Sequence, residues 1–328
     1  MFSRILRKLT GWRRPALRPG HRPAKTWTDF QRLRRGGKEP GYRRLNKLEV
    51  AELAAAIGVP VPEQLRTYST VADIDLASLP ERFVLKPDGA KSREGVLLLH
   101  RQPGGEFRDA LRRRSLTAEE IFGELEGVAR LHAERFPKRP PIHFLAEELL
   151  LPDDGSDRIP FDYKALTAGG EVLFIFQVDR NHAVPAAAFF HRDFEVRPGD
   201  PAAVSAYRSL QPGEPVVPRY ADDILDIARR VTAHLRTPFA SIDCYSTSRG
   251  AVLGEITLTP GGPYYGNMYR LAPALEIALG AAYLRGYREL GLEPATVPTE
   301  YAIKHRGGYR RVVDENGLSL DGYAGLRR

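Results

Sequence analysis

An apolar strand interior penalises a lone charge unless it meets an opposite one. Charges embedded in apolar runs are therefore the first candidates for chemistry. Lys86 ends the run Phe83-Val84-Leu85 and precedes Pro87. The loop after it, residues 88–95 (DGAKSREG), offers Gly89, Lys91, Ser92 and Gly95. Its many backbone N–H groups can fold over phosphates; a solvent-facing lysine beside an ordinary hairpin loop is the plainer alternative. Glu147 and Glu148 interrupt another apolar run, where alternation turns one of them inward. Asp162 and Lys164, two apart, share a strand face, and Gln177, Asp179 and Arg180 close the following strand. Asp243 lies inside FASIDCY and Glu255 inside AVLGEITL. These last two strands read as one hairpin, which lets the carboxylates face each other. Close carboxylates repel unless a cation separates them. Mg²⁺, with hard oxygen ligands and phosphate bridging, meets that need. Thr257, two residues past Glu255, adds an oxygen on the same face. Any one of these residues alone reads more simply as structural. Five strands each carrying a charge point to a site.

Other chemistries lack their motifs. The chain has no G-x-x-x-x-G-K-[ST] phosphate loop, no G-x-S-x-G elbow, no D-F-G and no H-E-x-x-H. The eight histidines do not cluster, and the single cysteine, Cys244, reads as a buried strand residue. One cysteine excludes an intramolecular disulfide and points to a reducing, cytoplasmic setting.

Several elements must position the charges. Asn46 and Glu49 form a capping box ahead of a helix ended by Gly58, and Thr117 with Glu120 forms another ahead of a helix to about Phe136. Strands are expected at 82–87, 95–100 and 142–151. Two more, 162–166 and 171–179, join across Thr167-Ala168-Gly169-Gly170. Residues 239–245 and 251–258 form a second hairpin. Helices are expected at 221–235 and 271–290. Hairpins mixed with helices, without a strict βαβ rhythm, give the class α+β.

The 328 residues are globular in composition, with 42% hydrophobic and 27% charged. No apolar run is long enough to span a membrane. The net charge of +8 is unevenly distributed. Residues 1–47 hold 15 Lys and Arg against 2 acids, the remainder 34 against 39. Residues 1–45 read as a basic arm, with short helices at 1–10 and 26–35. The arm either lies in solvent with Trp27 and Phe30 packed on the body, or handles an anionic lipid, polysaccharide or nucleic acid. Arg4, Arg7 and Lys8 interrupt the opening segment, so it does not read as a secretory signal.

The order of these segments resembles the ATP-grasp superfamily and, within it, the TupA-like ATP-grasp family. NKLEVAELAAAIGVPVPEQ, LPERFVLKPDG and GVLLL resemble its opening helix, nucleotide-binding strand and loop. HFLAEELL resembles the adenine-binding hinge, and PFDYKALTAGGEVLFIFQVDRN the D-Y-K strand with its partner. HRDF also fits, and SIDCYSTSRGAVLGEITLTPGG resembles the metal-binding hairpin and following turn. The likeness covers roughly residues 26–290. Thr257 stands where an Asn often follows the metal-binding Glu, and the loop 88–95 is longer and more charged than usual.

The resemblance implies two α+β lobes clasping ATP: 46–140 with the phosphate loop, 141–290 with the metal site, then a tail, 291–328. It implies that Lys86 contacts the α- and β-phosphates and that the loop carrying Gly89, Ser92 and Gly95 closes over them. Glu147, Glu148 and Leu149 would meet adenine and ribose, and Lys164 would sit by the transferring phosphate. Asp243, Glu255 and Thr257 would hold Mg²⁺, and Arg180 would stabilise the transferring phosphoryl group. His191 and Arg192 would greet an acidic substrate. The implied activity is an ATP-dependent carboxylate–amine ligase working through an acyl phosphate, in cell-surface polymer or peptide natural-product assembly. A phosphotransferase acting on a hydroxyl, or a non-catalytic polyanion-binding protein, are the alternatives. The basic arm would recruit an anionic acceptor or a membrane surface.

Overall fold

The computed structural model describes residues 21–35, 45–89, 94–196, 203–205, 210–258, 269–271, 273–292, 296–298, 301–305 and 308–312. The chain opens with β1 (His21–Pro23) and α1 (Trp27–Arg35), then α2 (Lys47–Ile57). Both reciprocal bonds of the Asn46–Glu49 capping box are present, and Gly58 closes α2 in the left-handed conformation.

A first antiparallel sheet contains β2 (Gln64–Tyr68), β3 (Arg82–Pro87), β4 (Leu97–Arg101), β5 (Phe107–Asp109), β6 (Arg114–Leu116) and β7 (Phe144–Glu148). Its order is β2-β7-β3-β4-β5-β6. Alternation along β3 buries Phe83, Leu85 and Pro87 and leaves Val84 and Lys86 on the other face. The buried face packs on Ile121 and Leu125 of α3 (Ala118–Arg135), whose start is the Thr117–Glu120 capping box. β7 is shorter than the expected 142–151. Leu149–Leu151 leave the sheet because Leu151 instead accepts the Ser248 N–H at 3.1 Å, and Pro152 bridges Thr247.

A second sheet contains β8 (Asp162–Ala168), β9 (Glu171–Asp179) and β10 (Ala186–His191). β11 (Ala203–Ser205) lies outside this sheet and pairs with a segment nearer the C-terminus. β12 (Gln211–Pro212), β13 (Phe239–Thr247) and β14 (Gly250–Thr257) complete the second sheet, in the order β12-β10-β9-β8-β13-β14. Gly169 and Gly170, both at positive φ (57° and 81°), make the two-residue turn from β8 to β9. This sheet is covered on both faces, so β9 is apolar throughout its middle. One face carries Tyr163, Ala165, Ile242, Cys244 and Leu253 against α4 (Ala221–Leu235) and α2. The other carries Leu166, Phe174 and Phe239 against α1 and α5 (Pro273–Glu289).

Residues 24–31 belong to that core. Trp27 and Phe30 are 2% and 0% exposed, and Phe30 stacks on Tyr283 with centroids 4.5 Å apart. A Cβ on Gly280 would lie 2.1 Å from the Lys25 carbonyl oxygen, so only glycine lets α5 approach the segment so closely. Buried Glu276 accepts the Thr28 N–H (3.0 Å) and hydroxyl (2.7 Å). β16 (Thr296–Pro298) pairs antiparallel with β1, beyond which β15 (Tyr269–Leu271) has paired with β11, and β17 (Tyr301–His305) pairs with β18 (Gly308–Val312). The tail therefore carries strand, where no element was expected. The expected helix at 1–10, Lys91, Ser92 and the turn after Leu258 lie outside the described residues.

Candidate functional site

Three consequences of alternation build the site. On β8, Asp162 and Lys164 point to the face opposite Tyr163 and Ala165. β13 pairs with β8 so that Asp243 faces Lys164 directly. β14 pairs with β13 so that Glu255 faces Asp243 and Thr257 faces Ser241. A register shift between Asp243 and Cys244 leaves Gly254 as the extra residue and keeps both strands in phase across the bulge. Directly opposed residues share a face. Asp162, Lys164, Ser241, Asp243, Glu255 and Thr257 are thus set on one surface of the second sheet, where Asp162, Ser241 and Asp243 are buried.

The side chains there form a network. Lys164 ion-pairs with Asp243 and, at 2.9 Å, with Asp162. Arg180 donates to Asp162 at 2.8 Å. The Ser241 hydroxyl donates to Asp243 at 3.1 Å. Burial pushes the Asp243 carboxyl up, Lys164 draws it down, and the negative charges of Asp162 and Glu255 push it further, to about 7. For Asp162 burial again acts upward, but Lys164 and Arg180 outweigh it and hold the group below its ordinary value. Its second oxygen, Oδ1, is buried without a hydrogen-bond partner among the described residues. Tyr245, on the same face, is raised by burial first and by Asp162 next.

The first sheet presents a second set of charges on the face away from its core. Lys86 ion-pairs with Glu147, and both side chains are nearly buried. Of the two neighbouring glutamates, Glu147 is the inward one. Glu148 instead accepts the Glu63 N–H at 3.0 Å and pairs with Arg249, tying the two sheets together. Leu149 is half-buried just beyond β7. Gly89 is exposed at the start of the phosphate-loop candidate. Gly95 closes that loop at φ 71°, where a Cβ would crowd the Pro87 ring at 3.1 Å. Asp88 is drawn back by His143, whose N–H donates to it at 3.1 Å.

Lys47 joins the two sets, and the sequence reading missed it. Its ammonium donates to the Pro87 carbonyl at 2.8 Å. Burial first and Lys86 next lower its pKa, against opposing pulls from Glu255, Glu147 and Asp88, to about 8. One lysine thus feels carboxylates on both sheets. A signal existed: Lys47 sits in the first turn of a helix, the end where the helix dipole disfavours a cation. Asp162, noted only as a neighbour of Lys164, is the hub of the other set.

The remaining charges have separate partners. Gln177 accepts from Val216 N–H (2.9 Å) and donates to the Glu214 carbonyl (3.0 Å), fixing a loop. Arg192 lies in solvent beside Asp193. Burial lifts the Cys244 thiol well above its ordinary range, which makes it a poor nucleophile.

Whether Mg²⁺ suits these residues turns on the donor set. Among the described residues no three His, Cys, Asp or Glu side chains converge. Mg²⁺ is commonly held by one or two carboxylates together with phosphate oxygens. Asp243 and Glu255 are such a pair, and their mutual repulsion is relieved by a cation. The residues fit.

No family model matches the chain, and no curated protein matches it. Solved structures show likenesses. The ATP-grasp ligase PsnB, complexed with a precursor peptide and AMPPNP, is 13% identical over 73% of this chain and 57% of its own, with TM-score 0.38. The chain therefore spans little more than half of that ligase. D-alanine–D-alanine ligase from Bacillus anthracis, complexed with ATP, is 12% identical over 75% of this chain and 65% of its own, TM-score 0.41. A RimK domain ATP-grasp protein from Sphaerobacter thermophilus is 14% identical over 81% and 79%, TM-score 0.40. At identities and TM-scores this low, the likeness by itself assigns neither activity nor substrate.

Proposed function

We propose that the chain is an ATP- and Mg²⁺-dependent ligase of the ATP-grasp type that joins a carboxylate to an amine through an acyl phosphate. One observation carries this reading. The Lys47 ammonium donates to Pro87 on the first sheet, next to the Lys86–Glu147 pair, and the helix that carries it packs on β14 of the second, where Glu255 faces Asp243. Nucleotide phosphates and a divalent cation need such surfaces on opposite sides.

Lys47 and Lys86 neutralise phosphate charge from the first sheet, and residues 88–95 cover it. The backbone and side chains at Glu147–Leu149 meet the base and ribose. Asp243 and Glu255, with Thr257, hold Mg²⁺, which when bound supplies charge neutralisation and orientation of phosphate oxygens. Lys164 lies beside the transferring phosphoryl group and exchanges its pairing with Asp243 for a phosphate oxygen. Arg180, positioned by Asp162, offsets the charge that builds during transfer. Catalysis of this kind is positioning and electrostatics. It needs no protein nucleophile, in keeping with the buried Cys244. The acid and amine belong to cell-surface polymer or peptide assembly, a choice supported only by the sequence resemblance, and the setting is cytoplasmic. Among the described residues no helix is long and apolar enough to cross a membrane.

The test is ATP binding by calorimetry with and without Mg²⁺, on the wild type and Glu255→Gln, followed by a screen of acids and amines for ADP and phosphate release. Mg²⁺-enhanced binding that Glu255→Gln weakens about tenfold or more supports the reading. Absence of nucleotide binding in the wild type overturns it, and a phosphorylated end product would replace ligation by phosphoryl transfer.

A further inference from the structure

A cavity of about 370 Å³ opens on the reverse side of the second sheet, where residues 152–161, the start of β8 and residues 216–219 meet. Its walls include Phe161, Tyr163, Val216, Val217 and Pro218. Val216 and Val217 leave 41% and 55% of their surface in water at its mouth. The Tyr163 hydroxyl is spent on the Val216 carbonyl at 2.9 Å, so that wall offers only its apolar ring. A volume of this size, with apolar residues and a few charged groups on its walls, lies in the range of small-ligand sites.

Two lining charges lack an ionic partner among the described residues. Asp153 accepts the Ser246 hydroxyl and the Arg219 N–H (3.1 Å) through one oxygen, Oδ2, and none of the described Lys, Arg or His side chains pairs with it. The Arg219 guanidinium pairs with none of the described carboxylates and lies over the Tyr220 ring, 5.5 Å from its centroid. By contrast, the other two lining charges, Asp154 and Arg158, pair with each other. Among the described residues the cavity thus offers one free anion, one free cation and an apolar wall.

We infer that this cavity is a second ligand site, for a free amino acid with an apolar side chain. The ammonium meets Asp153, the carboxylate meets Arg219, and the side chain lies against Val216, Val217 and Phe161. Either charged contact alone would leave the other lining charge unmatched. Phe161 and Tyr163 alternate along the chain with Asp162 and Lys164, and Ser246 with Tyr245. The sheet therefore stands between this ligand and the network described above, and an amino acid held here is not a reactant in it. Nothing in this site depends on nucleotide, so a failure of ATP to bind would leave it standing.

The test is calorimetry on the full chain with L-leucine, N-acetyl-leucine and leucinamide. Leucine binds, and masking either charge weakens binding about tenfold or more. Arg219→Gln and Val217→Asp, both at exposed positions, abolish leucine binding and leave ATP binding as in the wild type. Lys164→Met leaves leucine binding intact. The inference is overturned if the wild type does not bind leucine or binds leucinamide equally well. It is also overturned if Lys164→Met abolishes leucine binding while Arg219→Gln retains it, which would move the amino acid to the opposite face.

Discussion

Replacing Lys47 by Met tests the link between the two charged surfaces most directly. The ammonium is largely buried and its pKa falls from 10.5 to about 8. At pH 8 about half of the molecules therefore carry a neutral amine, and at pH 7 about a tenth. Bound phosphates would supply the anion that burial withholds and drive this amine to its charged form. ATP binding should then take up about half a proton at pH 8 and about a tenth at pH 7. Phosphate itself titrates near pH 6, so at pH 8 it contributes little to the exchange. The assay is titration with ATP and Mg²⁺ in two buffers of different ionisation enthalpy, whose difference in apparent heat reports the protons exchanged. In Lys47→Met the uptake disappears, and loss of a charge-assisted contact of about 1.5–3 kcal/mol weakens ATP about tenfold or more. Stability of the free protein gives a second readout. Because the folded pKa is depressed, the unfolded chain binds more protons between about 8 and 10.5, so wild-type stability rises with pH there. The variant lacks that slope. Tight ATP binding at pH 8 with no buffer dependence, or equal uptake in wild type and variant, would refute the placement of phosphate beside Lys47.

Two predictions concern the core that carries the site. Glu276 is raised to about 7 by burial, against the pull of two bonds from Thr28. The folded state then binds more protons than the unfolded one between about 4.5 and 7, so wild-type stability falls as pH rises through that window. Glu276→Gln flattens the fall and gains up to about 3 kcal/mol above pH 7, read from urea midpoints. Trp27→Ala destabilises by about 3–5 kcal/mol, since the ring lies between Phe174, Phe239 and Tyr283. Trp27→Phe costs much less, because the buried indole N–H has no hydrogen-bond partner among the described residues to lose.

Local rules carried the sequence far. Reciprocal caps at Asn46 and Thr117 and the apolar β9 depend on residues close in the chain and formed as read, while the turn read over residues 167–170 narrowed to Gly169-Gly170 because Thr167 and Ala168 extend β8. The charges on β3, β8, β13 and β14 stood out because they broke apolar runs. What depended on distance was hidden. Packing of Trp27 and Phe30 on the body was one of two readings of the arm, but Thr28 meets Glu276 across 248 residues, so its partners on α5 were not legible. Glu147 and Glu148 differ by one step of alternation, and which turns inward was settled by the pairing of β7 with β3 and β2. Lys47 was read as part of a helix start, because its partners sit on β3, β7 and β14.

The charge balance on each sheet explains why such costly residues gather. On the second sheet Lys164 and Arg180 face Asp162, Asp243 and Glu255, leaving an excess of negative charge and one buried oxygen of Asp162 without a donor among the described residues. A network short of donors is less stable than an apolar core would be. On the first sheet Lys47 and Lys86 face Glu147, with Asp88 drawn aside by His143, leaving an excess of positive charge. Each imbalance alone is a liability, and the pull of Glu255 on Lys47 does not outweigh burial and the repulsion from Lys86. A ligand that is anionic on one side and carries a divalent cation on the other relieves both at once. That requirement is narrower than charge alone. A polyanion without metal would satisfy Lys47 and Lys86 but repel Asp243 and Glu255. Inorganic polyphosphate should therefore bind weakly without Mg²⁺ and gain affinity when Mg²⁺ is added. The gain should vanish in Glu255→Gln. Metal-independent binding of equal strength would break the pairing of the two surfaces.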